Sequence, residues 1–242
     1  MREQLFDFTA QCPYGMDFQA VYRQTPSPPL DGEMLDGLLR AGFRRNGNVI
    51  YTMACPHCRG CVPIRLPVAL FKPDRNQRRV WKANQDIEVT RGPLRPDPEK
   101  LELCERFLAT RYPDQSGELL TGQRNQRAVD YYAGFFLNSI TETFEIAYRV
   151  EGKLLGLAVV DFAANALNAV YFYFDTNQAR RSPGTLNILY MVELCRLLGL
   201  DYLYLGYWIE KVAAMSYKTR FKPHQLLIDG QWRNLPGDRS SS

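Results

Sequence analysis

Three thiols in one short run are the densest chemistry in this 242-residue chain. Cys55, Cys58 and Cys61 follow a Cys-x2-Cys-x2-Cys spacing, and Cys12 stands upstream in Gln-Cys-Pro-Tyr. Sulfurs two residues apart can reach one ion from a single turn. These four are therefore candidate ligands for zinc or an iron–sulfur cluster, with His57 as a substitute ligand. The plainer reading is a set of buried or redox-idle thiols. Cys104 and Cys195 fall on apolar faces of predicted helices and suit core packing.

A second concentration lies between Asp201 and Pro223. An aromatic and apolar run of strand character, Tyr202 to Leu205, is broken by Gly206 and followed by residues that suit a helical turn. A strand ending at a glycine beside a helix start leaves free backbone N–H groups near a cleft. Tyr207, Trp208, Tyr217 and Lys218 cluster around that junction, which reads as the wall of a substrate site.

Charge is the third signal. The net formal charge is +4, but the segment from Arg40 to Arg91 carries about +8, mostly arginine. Such a field suits a polyanion such as RNA, or carboxylates; a solvated basic face is the alternative. No apolar run approaches the roughly 18 residues that span a bilayer. The stretch after Met1 holds no apolar signal core. These features predict a cytoplasmic protein with no membrane partner, in which six cysteines do not form a disulfide framework.

The elements that must position these groups fall on either side of a Pro- and Gly-rich stretch. Residues 1–92 read as a basic, largely irregular Cys-containing domain. Within it are a short helix capped by Asp31 and closed by Gly42, a strand from Val49 to Met53, and an extended Pro63–Val68 segment that its prolines confine to a sheet edge. A basic element follows over Asn76–Asn84, then a strand from Asp86 to Thr90. Residues 93–98 read as a linker. Residues 99–237 predict a helix to Arg111, a polar loop around Asp114–Gly117, a helix from Asn125 to Leu137, and strands at 144–150 and 154–162 joined by a turn. A third strand over Ala166–Asp175 precedes a helix ended by Gly199, the Tyr202 strand with its helical turn, and a strand over Gln225–Ile228. Residues 238–242 form a tail. This order predicts an α+β, N-acetyltransferase-like (GNAT) mixed sheet flanked by helices. In that fold the third hairpin strand and the strand after the next helix run parallel and splay, so that an acyl donor and an amine meet between them. The turn Arg180–Thr185 is basic but holds one glycine and Pro183, a poor cradle for a coenzyme A pyrophosphate, so a different acyl donor is expected.

The chain resembles the aminoacyl-tRNA–protein transferases, the eukaryotic arginyltransferases and bacterial aspartate/glutamate leucyltransferases, and its compact length resembles the bacterial branch. The resemblance runs nearly end to end: Cys12-Pro13-Tyr14, Gly42-Phe43-Arg44-Arg45, Tyr51, the Cys55/Cys58/Cys61 triplet with Pro63 and Arg65, Gln77-Arg78-Arg79, and Asn84. It continues through Val170-Tyr171, Phe174-Asp175, Ser182 with Gly184, Tyr202 to Tyr207, Met215-Ser216-Tyr217-Lys218 and Phe221-Lys222-Pro223. The pattern is broken at Asn76, Thr176, Pro183 and Ala214.

The resemblance implies transfer of an amino acid, leucine before arginine, from aminoacyl-tRNA to the α-amine of proteins with N-terminal Asp or Glu. Such an extension is an N-degron step, and it leaves a downstream Clp adaptor and protease pathway open. It also implies that the cysteine region serves substrate recognition and, in some members, a metal or cluster, with no cofactor required for transfer itself. The chemistry then distributes roles. The ester is already activated, so positioning dominates. Asp175 and Tyr171 are base or relay candidates, Gly206 and Tyr207 oxyanion candidates, and Tyr217 and Lys218 holders of donor or substrate. Each also has a bland reading: a turn cap for Asp175, core for Tyr171 and Tyr207, solvent for Lys218. Arg44, Arg45, Arg65, Arg78 and Arg79 are candidates for the acidic residue or for RNA phosphates, with Trp81 stacking on a base. Ser182 and Gly184 would sit on the donor side. The rival readings are an acyl-CoA-dependent N-acyltransferase and a tRNA- or degron-binding module without turnover.

Overall fold

The computed structural model describes residues 5–111 and 126–234. The expected polar loop around Asp114–Gly117 and the tail at 238–242 lie outside the described residues. The architecture is α+β, with a four-stranded and an eight-stranded sheet.

The small sheet has the order β1-β2-β4-β3, all antiparallel. Its strands are β1 (Phe6–Gln11), β2 (Gln19–Pro26), β3 (Arg44–Asn46) and β4 (Val49–Met53). The first two were expected to be irregular. Their sequences mix Gln, Thr, Asp and Arg into the run and leave most of the hairpin exposed, so the alternation that marks a half-buried strand is blurred. Between β2 and β3 lies helix α1 (Gly32–Arg40), where the Asp31 carboxylate accepts from the Met34 N–H at 2.8 Å.

The large sheet contains β5 (Val62–Pro67), β6 (Glu88–Pro93), β7 (Thr143–Val150), β8 (Lys153–Ala163), β9 (Ala166–Phe174), β10 (Tyr202–Trp208), β11 (Gln225–Ile228) and β12 (Gln231–Asn234). Its order is β12-β11-β5-β10-β9-β8-β7-β6. Strand β5 was expected at an edge. It lies inside, paired antiparallel with both β10 and β11. Its prolines are tolerated because Pro63 and Pro67 sit near the strand ends, while β11 pairs only with Ile64 and Arg65. Strands β5 and β6 precede the 93–98 segment in sequence, yet both pair with strands that follow it.

Helices cover both faces. On one side lie α2 (Arg75–Ala83) and α5 (Pro183–Leu197), whose Leu186, Met191 and Val192 pack with Ile64, Leu66, Leu203 and Leu205. Helix α2 begins with a capping box between Asp74 and Gln77. On the other side α3 (Pro98–Arg111) and α4 (Gln126–Tyr131) pack with Leu157, Val159 and Tyr173. The expected helix to Leu137 is split, because Tyr132–Leu137 widens into a π-helical turn. Strand β8 feeds both cores: Val159 faces α3 and Val160 faces α5. That is why its run reads as continuous apolar rather than alternating.

Candidate functional site

Between β9 and β10 the parallel pairing holds for only three positions, from Tyr202↔Ala166 to Tyr204↔Asn168. Beyond them each strand breaks register against its other neighbour. Strand β9 slips relative to β8 at Val159/Val160, and β10 slips relative to β5 between Tyr204 and Tyr207. The residue at the second break is Gly206, with φ +75°, a left-handed conformation that a side chain would strain. A Cβ placed there would meet only the Lys218 ammonium within 4 Å, at 3.9 Å. The two strands thus part at a glycine whose open side faces a lysine.

Two buried cations hold this break. Arg44 donates from Nη2 to the Gly206 carbonyl at 3.0 Å and from Nη1 to its neighbour Phe43 at 2.7 Å. Its guanidinium lies 5.6 and 5.5 Å from the ring centroids of Tyr204 and Tyr207. Lys218 donates to the Tyr207 carbonyl at 2.7 Å and to Met215 Sδ at 3.6 Å. It comes from the short helical turns Ala213–Ser216 (α6) and Tyr217–Arg220. Both side chains are buried, and among the described residues neither forms an ion pair with a carboxylate. Burial, then repulsion from Arg44, pulls the Lys218 ammonium down to about 7, and burial also lowers Arg44. The Tyr207 hydroxyl, turned toward Thr52 and Met53, is pushed up to about 12 by burial. An aromatic row leads away from Tyr207 through Tyr51, Tyr22 and Phe8, with centroid separations of 6.2, 5.7 and 6.2 Å.

The other expected site residues have different places. Arg45 is fully buried in a two-bond pair with Asp161, at 2.8 and 3.0 Å, and also donates to the Gly47 and Phe135 carbonyls. Thr143 and Asn168 donate to the same carboxylate. Arg65 lies 3.7 Å from the Tyr202 centroid and 4.3 Å from that of Trp232, and bonds Gln225 and the Tyr204 hydroxyl. Both arginines are committed to the fold rather than presented to a ligand. Asp175 caps a turn, accepting from the Asn177 N–H at 3.0 Å. Tyr171 packs against Phe107, Tyr131 and Phe136 on the α3 side. Tyr217 packs edge-on to Phe221. Ser182, with φ +53°, precedes α5, and Gly184 in the first turn has open space before it. Arg78 and Arg79 are exposed on α2.

In the cysteine region Cys61 has the other three thiols as electrostatic neighbours. The Cys61 thiol is pushed up to about 12, first by burial and then by Cys55, Cys12 and Cys58. Cys55 Sγ accepts from the Val21 N–H at 3.4 Å, and Cys58 Sγ from Gly60 at 3.3 Å. The donor chemistry suits zinc or an iron–sulfur cluster. Among the described residues no three His, Cys, Asp or Glu side chains are grouped so as to hold a metal ion.

Tyr51, Tyr204, Met215 and Trp232 were missed as contributors. The alternation Tyr202-Leu203-Tyr204-Leu205 already placed the two tyrosines on one face. Nothing local signalled that arginines from β3 and β5 would come to rest on them.

The chain matches the family model described as arginine-tRNA-protein transferase, N terminus, over residues 10–79, and its C-terminus counterpart over residues 99–228. It is 37% identical over 215 residues to aspartate/glutamate leucyltransferase of Methylobacillus flagellatus, spanning 89% of this chain and 84% of that one. The same-named protein of Nitrosococcus oceani is 39% identical over 212 residues, spanning 87% and 86%. Among solved structures, a conserved protein of unknown function from Bacteroides thetaiotaomicron overlays 67% of this chain and 55% of its own at a TM-score of 0.46 and 15% identity. Among the described residues no helix is long and apolar enough to cross a membrane. With models of both halves matched and relatives alike over most of their length, the chain belongs to the arginine-tRNA-protein transferase family.

Proposed function

We propose that this protein transfers an amino acid, leucine in preference to arginine, from aminoacyl-tRNA to the α-amine of proteins beginning with Asp or Glu. The observation that carries this reading is the pair Arg44 and Lys218, two buried cations beside the strand break with no carboxylate partner among the described residues. A buried charge without a counter-ion costs several kcal/mol in principle. An acidic side chain arriving at Gly206 would offset that cost for both groups at once. Asn, of the same shape but uncharged, would not.

The chemistry follows from the surroundings. The aminoacyl ester needs no further activation, so this reading asks only that the amine and the ester carbonyl meet in the opening between β9 and β10. Leu205 and Gly206 lie in the break between β10 and β5, where backbone N–H groups can turn toward a developing oxyanion. An α-amine has a pKa near 7.7–8.0, so part of it is neutral at physiological pH. With its carboxylate seated, the substrate raises Lys218 back toward its charged form. Asp175 is engaged in its turn cap and Tyr171 in its ring contacts, so in this reading the proton of the attacking amine passes to the departing ribose oxygen, directly or through water. A product extended at its N-terminus would carry a degradation signal.

The test is direct. Purified protein is incubated with leucyl-, arginyl- or phenylalanyl-tRNA and peptides beginning with Asp, Glu, Asn or Gln, and masses are read. Leucine addition to the Asp and Glu peptides alone is expected. No addition from any charged tRNA would overturn the reading, and addition from coenzyme A thioesters instead would favour the N-acyltransferase alternative.

A further inference from the structure

Away from the strand break, a cleft of about 170 Å³ opens between α2, β6, β7 and α5. This is roughly the space of five or six waters, enough for one flat ring and too small for a whole nucleotide. Its walls are mostly aromatic and aliphatic, from Trp81, Ile87, Val89, Tyr148, Leu186 and Tyr190, with the amides of Asn84 and Gln85 at one side. Trp81 is 37% exposed, unusual for the largest apolar side chain on a polar helix. Tyr148 is held in place by its hydroxyl bond to Asn187 at 2.8 Å.

One wall of the cleft carries a cationic stripe. In α2, Arg75, Arg78, Arg79 and Lys82 recur at helical spacing on the solvent side, all exposed. None of the four is in an ion pair among the described residues, whereas Arg181 across the cleft is paired with Asp86 at 2.9 Å. Trp81 projects about a quarter-turn round the helix from this stripe, between the cations and the buried face. The Asn84 side chain donates to the Arg181 carbonyl at 3.0 Å and ties the end of α2 to the turn before α5. A largely apolar slot beside cations that form no ion pair, of which Arg78 donates to the Pro73 carbonyl, matches one class of ligand. That ligand is an unpaired nucleobase on a phosphate backbone, with the base stacked on the indole and the phosphates along the helix.

We infer that the Trp81 cleft seats one unpaired base of the single-stranded acceptor end of the tRNA, while the α2 stripe tracks its phosphates. The inference rests on the proposed use of charged tRNA and adds where that RNA is gripped. It assigns Trp81 and Tyr190 to binding rather than to chemistry, since the cleft is lined by neither Gly206 nor Lys218.

The experiment measures binding of uncharged tRNA and steady-state transfer for wild type, Trp81→Ala, Trp81→Phe and the triple change Arg75/Arg78/Arg79→Gln. Trp81→Ala should weaken tRNA binding roughly tenfold, as for loss of one base–aromatic stack. It should raise KM for charged tRNA equally, with kcat and the KM for the acceptor peptide within twofold. Trp81→Phe should keep binding within threefold, which separates stacking from a folding defect. The triple change should flatten the salt dependence of binding, and Trp81→Ala should leave it unchanged. Unaltered tRNA binding by Trp81→Ala would overturn the inference, as would an effect confined to the KM for peptide, which would mark the cleft as a protein-docking surface. RNA binding that depends on Trp81 in a protein showing no transfer would overturn the proposed function and leave this inference standing.

Discussion

Arg44 and Arg45 are neighbours in sequence, both on β3 and both buried, and they do opposite things. Arg45 meets Asp161, and that carboxylate is satisfied again by Thr143 and Asn168. The network pins the small sheet to β8 and to the π-helical turn through Phe135. Among the described residues Arg44 finds carbonyls and ring faces, and a second cation without an ion pair, Lys218, stands at the same strand break. The contrast teaches that burial of a charge does not by itself mark a site. What distinguishes the two regions, among the described residues, is whether the protein supplies the counter-charge.

Breaking the satisfied network should have the largest effect. Asp161→Ala strands the Arg45 guanidinium and should destabilise the protein by about 3–5 kcal/mol, read from denaturant midpoints. A loss under about 1 kcal/mol would erase the distinction. At the unsatisfied site the expectation reverses. Lys218→Met removes a buried charge and should leave the protein as stable or more stable at neutral pH but lower kcat/KM for an Asp-initiated peptide by roughly 30-fold or more, the scale for removing one partner of a buried charge contact. Arg44→Met should behave alike. Equal kcat/KM for Asp and Asn peptides in wild type would remove the reason for the pair.

Titration sharpens the same comparison. The Lys218 pKa is depressed in the folded protein, to about 7 from the ordinary 10.5. Between these values the unfolded chain holds the proton and the folded chain has lost it. Stability should therefore rise with pH across that window, by at most about 1.4 kcal/mol per pH unit. The penalty is fully present below 7. The wild-type slope minus that of Lys218→Met isolates the effect from the buried thiols and tyrosines, which act in the opposite direction at high pH. A zero difference would mean that Lys218 stays charged in the fold. Arg65→Met, a cation with aromatic rather than ionic company, should cost about 1–2 kcal/mol and leave the KM for acidic peptides within twofold. Smallest of all, Glu102→Ala removes an exposed helical pair with Arg106 and should shift stability by less than about 0.5 kcal/mol.

The sequence announced the second half of the fold well. Helix and strand periods from Glu99 onward carry strong patterns, and the parallel β9–β10 opening followed from element order. It announced the first half poorly, for physical reasons. Strands β1 and β2 form an exposed hairpin with little apolar alternation, and Pro63 and Pro67 disguised an inner strand as an edge. Site residues divided along another line. Gly206 was legible as a glycine breaking an aromatic strand, whereas the solvated reading open to Lys218 gave no sign of its burial. The fates of Arg44, Arg45 and Arg65 were illegible, because each is decided by partners more than a hundred residues away, Gly206, Asp161 and Tyr204.

Strand β5 has an implication for how such a protein can change over time. It is contributed by the cysteine-bearing front of the chain, yet it stands between β10 and β11 and hydrogen-bonds the strand that carries Gly206. The front cannot be exchanged for another by a simple crossover near residue 95 without removing an inner strand from the sheet behind it. Two fragments cut there should be inert alone and regain structure only on mixing, by threading one strand into the other's sheet. The two segments matched by the family models are, in this fold, a single heritable unit.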